Sequence, residues 1–545
     1  MDSRAQKRVL IAGGGVAALE AALALRRLAE DRVRIELLAP EPRFWYRPLA
    51  VAAPFELGDV LHFELGALAR EIGADFTPGG LVGIDAWRHT AHTSKNTQLE
   101  YDMLLVACGA LPTPAIPGAL TFRGPADIEV IGRVLRELAS GVASSVAFVI
   151  PWGAVYSLPA YELALLTSAH LDRLGLRGVE VSVVTPEEEP LQVFGQQASE
   201  AICLLFADRG IVLRTGAYPI DVVDGLLRLI PYGAVEADRV VALARLKGAP
   251  LDGIPQTVDG FVPVDAHCGV RGVADVYAAG DITSFTVKQG GIATQQADAA
   301  AEAIAAAAGA DVEPARFRPV LRGMLLTGAP PRYLRRELAF EPDVEPVATL
   351  EPLWWPPAKI VGRYLAPFLA SIAGAEAPSV APAGEVGAAE VERVLDSGVI
   401  AGLDSSSLLL RDGSDDEPRV EAVMTRTVVV LAPEDTLVEA AEQLLREDVR
   451  AAVVSEYGRI VGTLTSVDLL HASAARTHPA EARVREWMTA EPLTVPGDTP
   501  VSAASMLIEQ YGIDLLPVVE EGSVVGMVDR EQVGSALVPS PGLGF

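Results

Sequence analysis

Two short stretches of this 545-residue chain hold residues whose types and spacing suit binding chemistry. The first is KRVLIAGGGVAALE, Lys7 to Glu20. Its apolar run, Val9 to Ala12, has the character of a parallel strand buried on both faces. Gly13 then permits a sharp turn, and Gly15 lets the backbone approach a pyrophosphate. Ala18 takes the third small position, where helix and strand pack closely. The helix that opens there offers its N–H groups and the positive end of its dipole to a phosphate. The second stretch is DVYAAGD, Asp275 to Asp281, a strand ending in Gly280-Asp281 with Lys288 shortly beyond. No cluster with metal-ligand spacing accompanies either stretch, so no metal is expected.

These side chains require an α/β framework. The predicted fold has two Rossmann-like dinucleotide-binding domains, followed by a smaller α+β repeat pair. Residues 1–116 and 247–312 form the two parts of the first domain, and 117–246 form a second nucleotide-domain-like insert. Residues 313–373 close the large region. A linker rich in Ala, Pro, Gly, Ser and acids occupies 374–418, with 390–395 helical in character, and 419–545 hold the repeats. The insert's first strand is Val146 to Ile150 and its second is Glu180 to Val184. Its turn, IPWGAVYSLPAYELA (Ile150 to Ala164), has no G-x-G-x-x-G, although Glu187 sits just past the second strand, where NAD ribose is often held. NAD(P)H binding is therefore left open.

Composition narrows the class. Half the residues are apolar, ample for large cores, and no run of 18 or more uncharged apolar residues appears, so no membrane span is expected. The net charge of −28 argues against nucleic-acid binding, which needs a basic face. The first strand begins at once, leaving no room for a signal peptide, and three cysteines fit a reducing cytoplasm. Cys108 and Cys203 read as core residues, and Cys268 as an exposed turn residue. Arg316 to Arg336 carries six arginines and no acid, and LWWPPAKIVGRYLAPFLA (Leu353 to Ala370) follows. Such a basic, aromatic segment suits peripheral contact at the inner face of the membrane or packing on the neighbouring domain.

The motifs GGGVAA (Gly13 to Ala18), FWYRPL (Phe44 to Leu49), LLVACGALP (Leu104 to Pro112), GFVPVD (Gly260 to Asp265), DVYAAGD and KQGGIATQQA (Lys288 to Ala297) together resemble the pyridine nucleotide-disulfide oxidoreductase superfamily. Within it the likeness is to sulfide:quinone reductases and type II NADH:quinone oxidoreductases. It implies FAD held by Gly13, Gly15 and the helix N-terminus. Asp281 would accept a hydrogen bond from the ribityl or phosphate region, and Cys108-Gly109 would lie beside the cofactor. Lys288 is expected near the reduced ring, and Gln295 beside a quinone acceptor. Glu41 is favoured over Glu36 as the ribose contact, because Ala39 ends the second strand where a carboxylate is expected. Arg47 is a candidate for cofactor or substrate. In the insert, Ser157 stands where sulfide:quinone reductases place a redox cysteine.

The C-terminal region contains a repeat. VEAVMTRTVVVLAPEDTLVEAAEQL (Val420 to Leu444) pairs with VREWMTAEPLTVPGDTPVSAASML (Val484 to Leu507), and RIVGTLTSVDLL (Arg459 to Leu470) with SVVGMVDREQVG (Ser523 to Gly534). The units, 419–474 and 483–538, resemble a tandem pair of CBS domains, which bind adenine nucleotides such as AMP or ATP. The ligand signature of that family, G-x-x-[ST]-x-x-D, is present at Gly462, Thr465 and Asp468. A hydroxyl and a carboxylate three residues apart at a helix start can cap it, reach phosphate and accept from ribose hydroxyls. The second unit has Gly526, Asp529 and Gln532, so one nucleotide site is expected. The combined expectation is an FAD-dependent oxidoreductase, passing electrons to a quinone under CBS control, and forming a homodimer. The alternatives are an FAD-containing sensor with little turnover, or sulfide oxidation without the usual cysteines.

Overall fold

The computed structural model describes residues 6–58, 60–154, 156–230, 232–338, 345–354 and 356–372. It also describes 418–537 except 448, 457–458, 467, 470–471, 473–479, 481, 491, 512, 514 and 521–522. The expected linker, 374–418 with its helical piece, lies outside the described residues except for its last residue. The described residues fall into two compact units. The first runs through Gly216 and resumes at Ala237; the second joins Ala217–Glu236 with the C-terminal repeats.

The first unit is built on two parallel sheets. In one, β1 (Lys7–Ala12) is central, flanked by β2 (Val33–Ala39) and then β3 (Asp75–Pro78) on one side. On its other side lie β4 (Met103–Val106) and β10 (Val276–Ala278). Ala12 pairs with both Leu38 and Val106, so the sheet ends level beneath the Gly13 turn. Helix α1 (Val16–Ala29) follows that turn. It packs against α4 (Gly290–Ala307) through alanines on both helices, among them Ala17, Ala21, Ala297 and Ala300, all buried. Small side chains let the two backbones approach closely, which fixes Gly280 and Asp281 beside the start of α1.

The second sheet has the order β5-β9-β6-β7-β8: β5 (Leu120–Phe122), β9 (Arg239–Leu243), β6 (Ser145–Val149), β7 (Glu180–Val184) and β8 (Val212–Arg214). All four pairings are parallel. Helix α2 (Leu158–Arg173) follows the altered turn and α3 (Gln196–Asp208) follows β7. An antiparallel sheet, β11 (Val320–Leu325), β12 (Arg332–Glu337) and β13 (Val347–Thr349), packs Leu321 and Leu325 into the same apolar core as Leu158 and Phe194. The chain then runs as a strap, Ala358 to Tyr364, into the short helix α5 (Leu365–Ile372).

In the second unit the repeats exchange strands. One sheet contains β14 (Val429–Leu431), β15 (Ala451–Glu456), β16 (Arg459–Thr465) and β17 (Thr489–Ala490), the last from the second repeat. The other contains β18 (Val495–Pro496), β19 (Leu515–Glu520) and β20 (Ser523–Asp529), which the first repeat's Thr425 joins by bridging to Met527. No described helix is long and apolar enough to cross a membrane.

Candidate functional site

The first turn is shaped for close approach. Gly13 has φ +149°, and a Cβ there would stand 2.1 Å from the Ala107 carbonyl oxygen, so no larger residue fits. Gly15 faces open space: a Cβ added to it meets nothing within 4 Å. It is the N-cap of α1 and offers no side-chain capping bond, so the helix start stays open to an anion. Ala18 is fully buried at the helix–sheet contact. Gly109 has φ +73° and also opens onto free space. Gly280 has φ +82°, with its Cβ position 3.1 Å from the Ala17 methyl. These features fit a dinucleotide pyrophosphate.

Around that turn the sequence-selected residues separate. Glu36 accepts the Thr77 hydroxyl at 2.6 Å and is thereby committed within the sheet, while Glu41 lies exposed beyond the end of β2. Cys108 corrects the core expectation. Strand β4 ends at Val106, and the thiol beyond it is exposed, though enough protein surrounds it to push its pKa up to about 11. Cys268 corrects the opposite expectation. It is fully buried, because Asp265 gathers the N–H groups of His267 and Gly269 into a tight turn and the Cys268 carbonyl accepts Ala278 N–H. Burial pushes its thiol far up, so it is inert. Cys203 is half-buried in α3.

Asp281, Lys288 and Arg47 form one electrostatic cluster. Burial raises the Asp281 carboxyl, and Lys288 and then Arg47 oppose that rise. Asp281 makes no hydrogen bond among the described residues, which suits an acceptor awaiting a ligand hydroxyl. Lys288 is buried rather than on the surface. Its ammonium donates to the carbonyls of Phe285, at 2.6 Å, and Thr283, and stands 4.0 Å from the Phe261 ring centre. Burial lowers its pKa to about 7 against the pull of Asp281. Gln295, the residue expected beside a quinone, is held by the protein backbone. Its amide donates to Gly291 and Val320 carbonyls and accepts Val320 N–H, tying α4 to β11. Its neighbour Gln296 is the one that reaches the site, accepting Gly280 N–H at 2.8 Å. Helical phase decides this: adjacent residues point about 100° apart.

The second turn differs in its side chains. Trp152 occupies it with the Arg245 guanidinium 5.9 Å from its ring centre. Glu187, the candidate ribose acceptor, already collects the hydroxyls of Tyr161 at 2.6 Å, Ser157 at 2.9 Å and Thr185 at 2.9 Å. The Glu187 carboxylate is therefore already engaged by three protein hydroxyls. One feature here was not legible in the sequence: Lys359 of the strap forms a buried pair with Glu162 of α2, 2.6 Å from each carboxylate oxygen. Their separation of 197 residues left no local pattern to find.

In the repeats, Thr465 and Asp468 form a reciprocal cap. Thr465 donates N–H and hydroxyl to Asp468, and Asp468 N–H donates back to the hydroxyl. Asp529 and Gln532 copy this geometry, but Gln532 also donates to Thr425 at 2.7 Å. Gly462 packs beneath Met488 and Gly526 beneath Met424, where a Cβ would come within 2.4 and 2.5 Å of sulfur respectively. Both glycines are thus explained by the strand exchange.

Comparison with known proteins agrees with this architecture. Residues 420–475 and 484–538 match the CBS domain family. The CBS domain-containing protein YhcV of Bacillus subtilis is 30% identical over 128 residues, 22% of this chain and 91% of that protein. The sulfide-quinone reductase of Aquifex aeolicus is 27% identical over 215 residues, 38% of this chain and half of that relative's length. The solved structure of the sulfide:quinone oxidoreductase from Aquifex aeolicus superposes with a TM-score of 0.57 at 18% identity, over 63% of this chain and 86% of that one. Residues 7–303, more than half of the sequence, match the pyridine nucleotide-disulphide oxidoreductase family, and the chain belongs to that family, with a tandem CBS pair at its C-terminal end.

Proposed function

We propose that the chain is an FAD-dependent oxidoreductase that passes two electrons to a quinone from a donor other than a nicotinamide. The observation that carries this reading is the contrast between an open first turn at Gly15 and a second turn that carries Trp152 and whose candidate carboxylate, Glu187, already accepts three protein hydroxyls. Bound FAD would supply the two-electron relay. Gly13, Gly15 and the start of α1 would hold its pyrophosphate, and Asp281 would accept a ribityl hydroxyl. Lys288, poised to gain or lose a proton near pH 7, would hold positive charge at the reduced site. The quinone is supported by the sulfide-quinone reductase likeness. Contact of the basic, aromatic segment with the membrane and homodimerisation belong to the same proposal.

A second reading, an FAD-containing sensor with little turnover, is favoured by the thiols. Cys268 is buried, Cys203 is half-buried in a helix, and no dithiol pair is present among the described residues. An anaerobic visible spectrum of the full-length protein separates these. A yellow protein that NADH leaves unchanged, and that sulfide bleaches and a short-chain quinone restores, supports the enzyme. A yellow protein that no donor bleaches supports the sensor. Rapid bleaching by NADH overturns the nicotinamide-excluding reading, and failure to take up FAD overturns both. For the CBS pair we place adenine nucleotide at Thr465 and Asp468. Millimolar AMP should raise the Tm of the full-length protein, and Thr465→Ala with Asp468→Ala should remove the rise.

A further inference from the structure

The strap and α5 are fastened to the dinucleotide-binding helices by a cluster that none of the proposed chemistry uses. Glu20, on α1, is fully buried, and its carboxylate accepts Tyr364 N–H at 2.8 Å and Leu365 N–H at 2.6 Å. It therefore caps α5 from 345 residues away. Gly362 comes so close that a Cβ there would lie 2.6 Å from the Glu20 carboxylate. Thr294 adds a hydroxyl bond to the Val361 carbonyl at 2.7 Å, and Ile360 N–H donates to the Tyr46 hydroxyl at 3.0 Å. Beside Glu20 stands Asp298 of α4. Its Oδ1 is buried and has no hydrogen-bond partner among the described residues.

We infer that Asp298 carries a proton when the strap is closed and that its loss loosens the strap, making the Glu20–Asp298 pair a proton-operated latch on α5. A protonated Asp298 carboxyl becomes a donor toward Glu20, with which its side chain is in hydrogen-bonding contact, while the Glu20 carboxylate keeps both backbone N–H groups. A deprotonated Asp298 places two negative charges in one buried pocket, which the closed strap opposes.

The surroundings support this assignment. Asp298 is faced by Glu20 on α1, by Glu302 further along its own helix, and by Arg363 and Tyr364 of the strap. Arg363 is the one cation facing it among the described residues. Its guanidinium is largely exposed and reaches toward Glu302 at 3.4 Å, so it compensates Asp298 weakly. Burial first, and then Glu20, push the Asp298 carboxyl up to about 8. An acid raised this way favours the closed strap at low pH. Closure weakens as pH climbs from the ordinary carboxylate range toward about 8, and the effect levels off above that. Opening would carry Lys359 away from Glu162 and lift Ile360 from Gly290, which it touches at the start of α4.

The test is hydrogen exchange at the Tyr364 and Leu365 amides in full-length wild type and Asp298→Asn, whose amide donates to Glu20 without titrating. Taking the ratio of the two rates at each pH cancels intrinsic exchange. The ratio should climb by up to about tenfold per pH unit between pH 6 and 8 and then flatten. A ratio constant with pH overturns the latch. Should Asp298→Asn not fold, Asp298→Ser serves, because it also lacks the titrating group and predicts the same climbing ratio. This readout requires neither bound cofactor nor turnover, so it stands or falls apart from the proposed activity.

Discussion

The two dinucleotide-type turns of this protein share a strand–turn–helix plan and differ in their side chains. After β1 the turn is glycine backbone, with free space at Gly15 and an uncapped helix start. After β6 the turn holds Trp152 with Arg245 near its ring, and the carboxylate past the next strand is taken by three hydroxyls. Both sheets are parallel and their central strands are buried, so the sheets do not decide ligand binding. What distinguishes the two turns is a few ångströms of backbone approach and whether the carboxylate past the next strand is already satisfied. The second domain also contributes α2, whose Glu162 anchors the strap.

The largest expected effect breaks the open turn. Gly13→Val should abolish FAD uptake, because the new side chain collides with the Ala107 carbonyl and the backbone requires a φ that valine rarely adopts. The purified variant should lack flavin absorbance and lose at least about 2 kcal/mol of stability by denaturant titration. A yellow Gly13→Val protein would show that the first turn is not the cofactor site. The next effect concerns the anchor supplied by the second domain. Lys359→Met leaves the Glu162 carboxylate buried beside a single N–H donor, from Leu326. Removing one partner of a buried pair should lower stability by about 3–5 kcal/mol, and adding Glu162→Gln should recover much of it. If the double variant is no more stable than Lys359→Met alone, the pair is not the anchor.

The sequence carried the open side well and the second domain poorly, for physical reasons. Gly13, Gly15 and Ala18 lie within one local motif, and each demands a small residue for a reason visible in the chain itself. Asp281 and Lys288 could be singled out in the chain because a strand end announces the first and the second follows it seven residues later. The Glu162–Lys359 pair and the Glu20 cap on α5 were not, since each joins residues far apart and a glutamate in a helix reads as solvated. Gln295 and Gln296 show the same limit at close range: both precede an alanine-rich run, and only the phase of α4 sends Gln296 to Gly280 and Gln295 to β11. Cys268 was misplaced because an HCGVRG turn suggests a surface loop, whereas Asp265 folds it inward. The CBS repeats were legible as a duplication, yet their strand exchange was not, because it depends on which copy of Met-Thr meets which strand.

The smallest expected effect concerns the second turn. Tyr161 is fully buried, and its hydroxyl is the nearest of the three donors to Glu187. Tyr161→Phe removes that donor without changing shape and leaves a partly buried carboxylate short of one bond, which should lower stability by about 1–3 kcal/mol. It should not create NADH binding, because Ser157, Thr185 and Trp152 remain in place. If Tyr161→Phe alone produced a protein whose tryptophan fluorescence NADH quenched saturably, the second turn would be one hydrogen bond away from a nicotinamide site. The contrast between the two turns would then be a matter of degree. If destabilisation appears without binding, the three hydroxyls and the indole act together, and the second domain is closed to nicotinamide by construction of its turn rather than by any single side chain.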